Sequence, residues 1–155
     1  MKTTIIATGK LKESYWREAC AEYTRRLRSS TTLSVVEVAD RDPGRGGAQR
    51  ALREEGADIL KAVPAQAWVI ALVIEAPQLS SEELSARLEE LKAGGHSHLC
   101  FVIGSSHGLA PEVLRRADER LSFGAITLPH NLARVVLLEQ LYRAACIAAG
   151  SPYHK

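Results

Sequence analysis

Long apolar runs are missing from this 155-residue chain. None approaches the roughly 20 residues that a membrane-spanning helix needs. Met1-Lys2 leads straight into a strand-like segment with no signal-peptide core, so a cytoplasmic protein with no membrane partner is expected. Cysteine is scarce: Cys20, Cys100 and Cys146 are odd in number and far apart, which argues against a disulfide framework and against a CxxC metal or redox pair. An excess of one charge is also lacking. Twenty Lys and Arg stand against 18 Asp and Glu, a net charge of +2, so a strongly basic RNA-coating module is excluded and any nucleic-acid surface must be a local patch. The glycine-rich stretch at 40–47, DRDPGRGG, lacks both the Gly-Lys-Ser ending of a P-loop and the spacing of a dinucleotide fingerprint. His96 and His98 have no third ligand nearby, and no metal site is expected.

What is present is a globular composition, 46% hydrophobic and 25% charged. The length suits one domain, residues 1–155, large enough to bury a core without disulfides or metals. Thr3 to Thr8 reads as a buried first strand ended by Gly9. A helix is predicted over Lys12 to Arg28, with Tyr15, Ala19, Tyr23 and Leu27 as its apolar stripe; its Lys12, Arg17, Arg25, Arg26 and Arg28 are either a solvated face or phosphate contacts. Leu33 to Ala39 is a second strand. The 40–47 loop follows, where Arg41 and Arg45, with Arg50 and Arg53 beyond, are candidate RNA contacts, and then a helix over Ala48 to Val63.

Ala67 to Ile74 is a continuous apolar run, as in a central parallel strand covered on both faces. Ser80 and Glu83 form a capping box for a helix carrying Leu84, Leu88 and Leu91 and stopped at Gly94-Gly95. His98 to Ile103 is a further strand that runs into Gly104-Ser105-Ser106-His107-Gly108, ahead of a helix predicted over Pro111 to Arg120. That turn has two readings. Glycines between a strand and a helix let a ligand approach the backbone at the carboxyl end of the sheet. The same residues match G-x-S-x-G, the nucleophile elbow of serine hydrolases, with Ser106 as nucleophile, Asp118 as acid and His130 or His154 as base; the chain is short for that fold and has no HGGG-like segment upstream.

The last stretch is the most apolar. Leu121 to Leu128 is a short run stopped by Pro129, after which Asn131 can cap a helix to about Ala149. Leu132, Val135 to Leu138, Leu141, Tyr142, Ala144, Ala145, Ile147 and Ala148 cover most of its circumference. Such a helix must be buried on two sides. One side can face a sheet, and a second copy of the chain across a two-fold axis is the economical cover for the other, so a homodimer is expected. The alternation of elements defines an α/β fold with a mainly parallel sheet and helices on both faces.

Ile6-Ala7-Thr8-Gly9-Lys10-Leu11-Lys12, Tyr15-Trp16, Ala21-Glu22-Tyr23, Val102-Ile103-Gly104, Leu128-Pro129-His130, Arg134-Val135, Glu139-Gln140-Leu141-Tyr142-Arg143-Ala144 and the closing Pro152-Tyr153-His154-Lys155 stand in an order and spacing that is specific as a set. On these residues the chain resembles the bacterial 23S ribosomal RNA pseudouridine N3-methyltransferases of the SPOUT class, over nearly its whole length. The resemblance implies a C-terminal trefoil knot, S-adenosylmethionine as cofactor, a homodimer, and the ribosome with its 23S rRNA as partner. It implies cofactor contacts at Leu72, Gly104 and Phe123-Gly124-Ala125-Ile126-Thr127-Leu128. Tyr153 and His154 are then expected to shape the target pocket, and His154, His130 and Arg143 are the candidates for assisting loss of the N3 proton. Arg134 and Arg143 lie about half a turn apart around the final helix and are not expected to share one role; either could instead be a buried ion-pair member, Arg143 with Glu139 four residues earlier. The sequence departs from the family pattern at Val73, Ala76, Pro77 and Gln78, where an acidic residue and a Gly-Lys loop are usual, and at Ser105, usually a second glycine. Such departures leave open a ribosome-binding protein that has lost catalysis.

Overall fold

The apolar runs of the sequence become five strands, β1 (Lys2–Thr8), β2 (Thr32–Val38), β3 (Trp68–Leu72), β4 (His98–Ile103) and β5 (Glu119–Leu121). They form one sheet in the order β2-β1-β4-β3-β5, with every strand pairing parallel. The computed structural model describes residues 1–44 and 46–154, the last by its backbone alone; expectations resting on Arg45, on Lys155 and on the His154 side chain lie outside the described residues. Five helices connect and cover the strands: α1 (Ser14–Leu27), α2 (Gly47–Ala62), α3 (Ser81–Ala93), α4 (Pro111–Arg116) and α5 (His130–Ala148). A 3-10 turn, Pro152–His154, follows.

Successive residues of a strand point to opposite faces, so a strand covered on both faces has no polar side to show. Ile5, Ile70, Leu99, Phe101 and Ile103 enter one core with Cys20 and Leu27 of α1, Leu84, Leu88 and Leu91 of α3, and Leu137, Leu138 and Leu141 of α5. Their neighbours Ile6, Val69, Ala71, Cys100 and Val102 enter the other, under Ile59 of α2 and Leu109, Ala110 and Val113 at α4. Each fully buried Ile, Leu or Phe contributes about 2–3 kcal/mol from lost apolar hydration. Helices α2 and α4 approach closely because position 56 is glycine: a Cβ there would lie 2.6 Å from that of Ala110. All three cysteines are buried and unbonded, and burial pushes the Cys100 thiol up to about 11.

Three boundaries differ from the sequence reading. The helix predicted to Arg120 ends at Arg116, because Asp118 joins the sheet: its N–H donates to Val69 O at 2.8 Å, and its carboxylate accepts from Val69 N–H at 2.8 Å. The strand β5 that follows is three residues long, too short to show a period. The final helix begins at His130 after Pro129 and has no side-chain cap, so Asn131 lies in its first turn. In α1 the expected apolar position Tyr15 is 60% exposed, and its ring rests edge-on against Trp16 at 5.1 Å.

Helix α5 is buried or half-buried from His130 to Ile147. Its flanks are taken by α1 and α3 of the same chain. Ser85 Oγ donates to Ala144 O at 2.8 Å and Ser81 Oγ to Gln140 Oε1 at 2.6 Å, tying α3 along it. The two-sided burial read from its composition is therefore supplied largely within one chain. Among the described residues, no helix is long and apolar enough to cross a membrane.

Candidate active site

Strand register sets three loops side by side. Leu72 pairs with Ile103 on one side and with Leu121 on the other, so the segments 73–80, 104–110 and 122–129 leave the sheet at one level of its carboxyl edge. Two of them are stitched together, Val73 N–H donating to Leu121 O at 3.0 Å and Ser122 N–H to Pro77 O at 2.9 Å. The expected cofactor residues Leu72, Gly104 and Phe123 to Leu128 thus belong to one region, contributed by three neighbouring strands.

Each turn has a local cause. Gly104 carries no side chain because a Cβ would lie 2.8 Å from the carbonyl carbon of Gly108, closer still to its oxygen, and 3.0 Å from Leu109 Cδ2. The turn closes through Gly108 N–H to Ser105 O at 2.9 Å. Below β5, Ser122 Oγ accepts from Gly124 N–H at 3.0 Å and donates to Gly124 O at 3.1 Å. Gly124 has φ +117°, with open space where a side chain would project. Leu72, Phe123 and Leu128 are half-buried, while Ala125, Ile126 and Thr127 are exposed. Ile126 is 78% exposed, a large apolar side chain left beside a glycine-lined turn.

His130 opens α5 two residues after Leu128. It lies over Gly9, where a Cβ would come 3.1 Å from its Nε2 and 3.8 Å from Asp40 Cβ. One turn on, Arg134 is 4% exposed. Its Nη1 donates to Glu37 Oε2 at 2.8 Å and its Nη2 to Gly9 O at 3.0 Å, while its buried Nε has no partner among the described residues. Arg134 therefore ties α5 to the carboxyl ends of β1 and β2.

The tail forms a separate cluster. Tyr153 packs edge-on against Tyr142 at 4.7 Å, its hydroxyl donates to Glu139 Oε1 at 3.5 Å, and the Arg143 guanidinium lies 5.1 Å from its ring centre. Arg143 donates to Glu139 Oε1 through Nε at 2.9 Å and Nη2 at 2.6 Å, the i,i+4 pairing that the spacing allowed. From α1, Arg26 sits 5.5, 5.6 and 6.0 Å from the ring centres of Tyr23, Tyr142 and Tyr153. Burial, then the hydrogen bond with Tyr23, raises the Tyr153 phenol above its ordinary value. Arg25 and Arg26 hydrogen-bond Glu22 and hold its carboxyl down at about 2. The described part of the tail is thus anchored on the middle of α5.

The candidates split into two groups. At a rise of roughly 1.5 Å per residue, Arg143 lies about 20 Å along α5 from His130, so one chain does not bring Tyr153 and Arg143 to its own loops at the carboxyl edge, where the cofactor is expected. Among the described residues the hydrolase constellation does not assemble. Asp118 is engaged by Val69 N–H and by Arg116 at 3.2 Å, at the end of β3 opposite Gly104. Exposed Ser106 has for company the adjacent His107, at 3.5 Å. His96 stacks on Trp68 at 4.3 Å and His98 Nε2 meets Thr4 Oγ1 at 2.8 Å; among the described residues no group of three could hold a metal. Of the candidate RNA contacts, Arg41 pairs with Asp58 and Arg50 with Glu54, while Lys12, Arg28 and Arg53 are exposed.

The sequence allowed Arg134 a buried ion pair without naming its partners, Glu37 and the Gly9 carbonyl; it missed the Tyr23–Arg26 platform under the tail, and Glu55. The last had a signal. Ala51, Glu55, Gly56 and Ile59 form the buried stripe of α2, and a carboxylate at such a position needs partners.

An open, wholly parallel α/β sheet with glycine-bearing turns crowded at its carboxyl edge defines a scaffold that binds a small ligand there. The family profile described as "Predicted SPOUT methyltransferase" matches residues 1–154, and the chain belongs to that family of methyltransferases. Membership carries with it the C-terminal trefoil knot. Among its relatives, the "Ribosomal RNA large subunit methyltransferase H" of Rubrobacter xylanophilus is 53% identical over 155 residues, covering 99% of this chain and 98% of that protein. The protein of the same name from Bifidobacterium adolescentis is 49% identical over 159 residues, covering both chains fully. Among solved structures, a probable methylase family protein from Haemophilus influenzae aligns with a TM-score of 0.57 at 15% identity, over 99% of this chain and 70% of that one, a likeness of fold alone.

Proposed function

We propose that the protein is an S-adenosylmethionine-dependent methyltransferase that modifies N3 of a pseudouridine in 23S ribosomal RNA. It acts in the cytoplasm, on assembled ribosomes, as a homodimer of single-domain chains. The observation that carries this is full-length identity of about one half to relatives named for ribosomal RNA large subunit methylation, joined to a carboxyl-edge site of the right chemistry. Open space at Gly124, the exposed residues Ala125 to Thr127 and the apolar Leu72, Ile126 and Leu128 suit a flat, partly apolar nucleoside. Leu72 and Leu128 would hold its faces, Gly104 and the Phe123 to Thr127 backbone its polar edges. The cofactor supplies an electrophilic methyl group.

The chain's own part is alignment of the nucleobase nitrogen and removal of its proton. His130, at the end of the cofactor turn, is within the right region to take it. Tyr153 offers a ring for stacking on the base, His154 belongs to the same pocket, and the Arg143 cation favours the deprotonated base. Because the tail of one chain rests far from that chain's cofactor turn, the tail of the partner copy completes each site. Assembled ribosomes are the substrate because a small surface of modest charge has little with which to select one nucleotide in free RNA.

Calorimetry should show S-adenosylmethionine binding to the folded protein, and mass spectrometry should show one methyl group gained by ribosomes from cells lacking the gene. A folded dimer with no binding heat would overturn the proposal, as would equal methylation of naked rRNA for the choice of substrate. Deleting Tyr153 to Lys155 is expected to lower turnover about 100-fold, the scale of a misplaced substrate, and to leave cofactor affinity within about twofold. Mixing that truncated chain with a Gly104→Ala chain should regain activity in the mixed dimer. Unchanged turnover would make the tail a frayed terminus, and failure to regain activity on mixing would place the tail in its own chain's site.

A further inference from the structure

Glu55 is 2% exposed, and its two carboxylate oxygens serve two different loops. Oε1 accepts from Ser105 Oγ at 2.8 Å, and Oε2 accepts from the Arg41 backbone N–H at 2.9 Å. Ser105 Oγ in turn accepts from His107 N–H at 3.3 Å, so the hydroxyl that meets Glu55 also shapes the turn after Gly104. Arg41 begins the loop after β2, and its guanidinium is held by Asp58, also on α2, at 2.8 Å. A buried carboxylate is a poor device for stability alone, because its desolvation offsets much of what its hydrogen bonds return. Here it makes a rigid link, through α2, between the turn proposed for the cofactor and the loop after β2, whose Arg41 is a candidate RNA contact.

We infer that Glu55 is a positioning residue that couples occupancy of the Gly104–Gly108 turn to the order of the loop at Arg41, so that cofactor and RNA substrate bind cooperatively. The inference rests on the cofactor reading above. A ligand that fixes Ser105 fixes the partner of Oε1, the carboxylate loses freedom, and the Arg41 N–H on Oε2 becomes harder to open. Linkage requires the reverse as well: RNA that orders the Arg41 loop tightens the turn. Glutamine at 55 can keep both contacts, its oxygen accepting from Arg41 and its amide donating to Ser105 Oγ. Alanine at 55 or 105 cuts the link.

The test is amide hydrogen exchange with and without saturating S-adenosylhomocysteine. In the unsubstituted protein the ligand should slow exchange in the 104–108 turn and slow the Arg41 amide about fivefold, the low end of ordinary coupling between sites. Ser105→Ala should keep protection of the turn and lose the Arg41 response, and Glu55→Gln should keep both. Glu55→Ala is informative where it folds; Ser105→Ala, the milder change, decides the matter otherwise. Protection of the turn with an unmoved Arg41 amide in the unsubstituted protein, or a full Arg41 response in Ser105→Ala, overturns the coupling alone. No protection anywhere overturns the cofactor reading and the coupling with it.

Discussion

Gly104→Ala is expected to abolish useful cofactor binding, weakening S-adenosylmethionine affinity about 100-fold or more. The added Cβ would meet backbone, the carbonyl of Gly108 at 2.8 Å and nearer, with Leu109 Cδ2 at 3.0 Å. Backbone cannot swing aside as the end of a long side chain can, so the turn must open and the Gly108 N–H to Ser105 O bond must lengthen or break. Overpacking of this kind costs about 1–3 kcal/mol of stability. Loss of aligned backbone groups worth about 2.7 kcal/mol is the stated 100-fold in affinity. Gly124→Ala is the milder comparison, at the second glycine proposed to face the cofactor. Its φ of +117° is unfavourable for alanine, but no protein atom lies within 4 Å of the new Cβ, so the turn is strained by about 1–2 kcal/mol without being blocked, and the methyl group narrows the nucleoside's space, for an expected affinity loss of about tenfold. Calorimetric titration of the two variants checks the contrast; equal, small losses would show that the Gly104 turn does not touch the cofactor.

The layers of the fold were legible because its inner strands β1, β3 and β4 are covered on both faces. A run such as Ala67 to Ile74 is apolar at every position for that reason, and the capping box at Ser80 and Glu83 marks α3 from sequence and stands in the structure. What stayed hidden was decided by partners distant in the chain. Nothing local says that Asp118 will join Val69 and end a helix early, or that three residues will then pair as β5. The turn proposed for the cofactor could be assigned to it only by resemblance, since Gly104 is indistinguishable in sequence from a plain turn glycine; its need for zero side chain arises from Gly108 four residues on. The tail had no readable role either. Its anchor is Glu139, Tyr142 and Arg143 in the middle of α5, backed by Tyr23 and Arg26 of α1, more than 100 residues earlier, and the distance between that anchor and His130 is a property of a straight helix rather than of any motif. The dimer was reached from α5's composition, yet α1 and α3 account for most of that burial, so the support for a second copy now comes from the separation of tail and turn.

Arg134→Met should lower stability by about 3 kcal/mol, the small end of the range for breaking a buried ion pair, because Glu37 keeps a side chain 35% exposed that water can serve. Methionine fills similar length, so most of the loss is electrostatic: the Gly9 carbonyl loses its donor and Glu37 its cation. For a chain of this size the melting temperature should fall by about 5–10 °C. The unpartnered Nε acts in the opposite sense, since a buried N–H without an acceptor costs free energy that methionine removes, which keeps the expected loss at the low end. A residue that touched the reacting base would behave differently, lowering kcat with melting unchanged. Arg134 also stands behind His130, which rests on the same Gly9. A secondary loss of turnover is therefore expected, about tenfold, the size of a small misplacement of a positioned group, with S-adenosylhomocysteine affinity kept within a few fold. Thermal melting, calorimetry and turnover on one preparation separate the cases. An unchanged melting temperature with turnover gone would move Arg134 from the scaffold into the reaction itself.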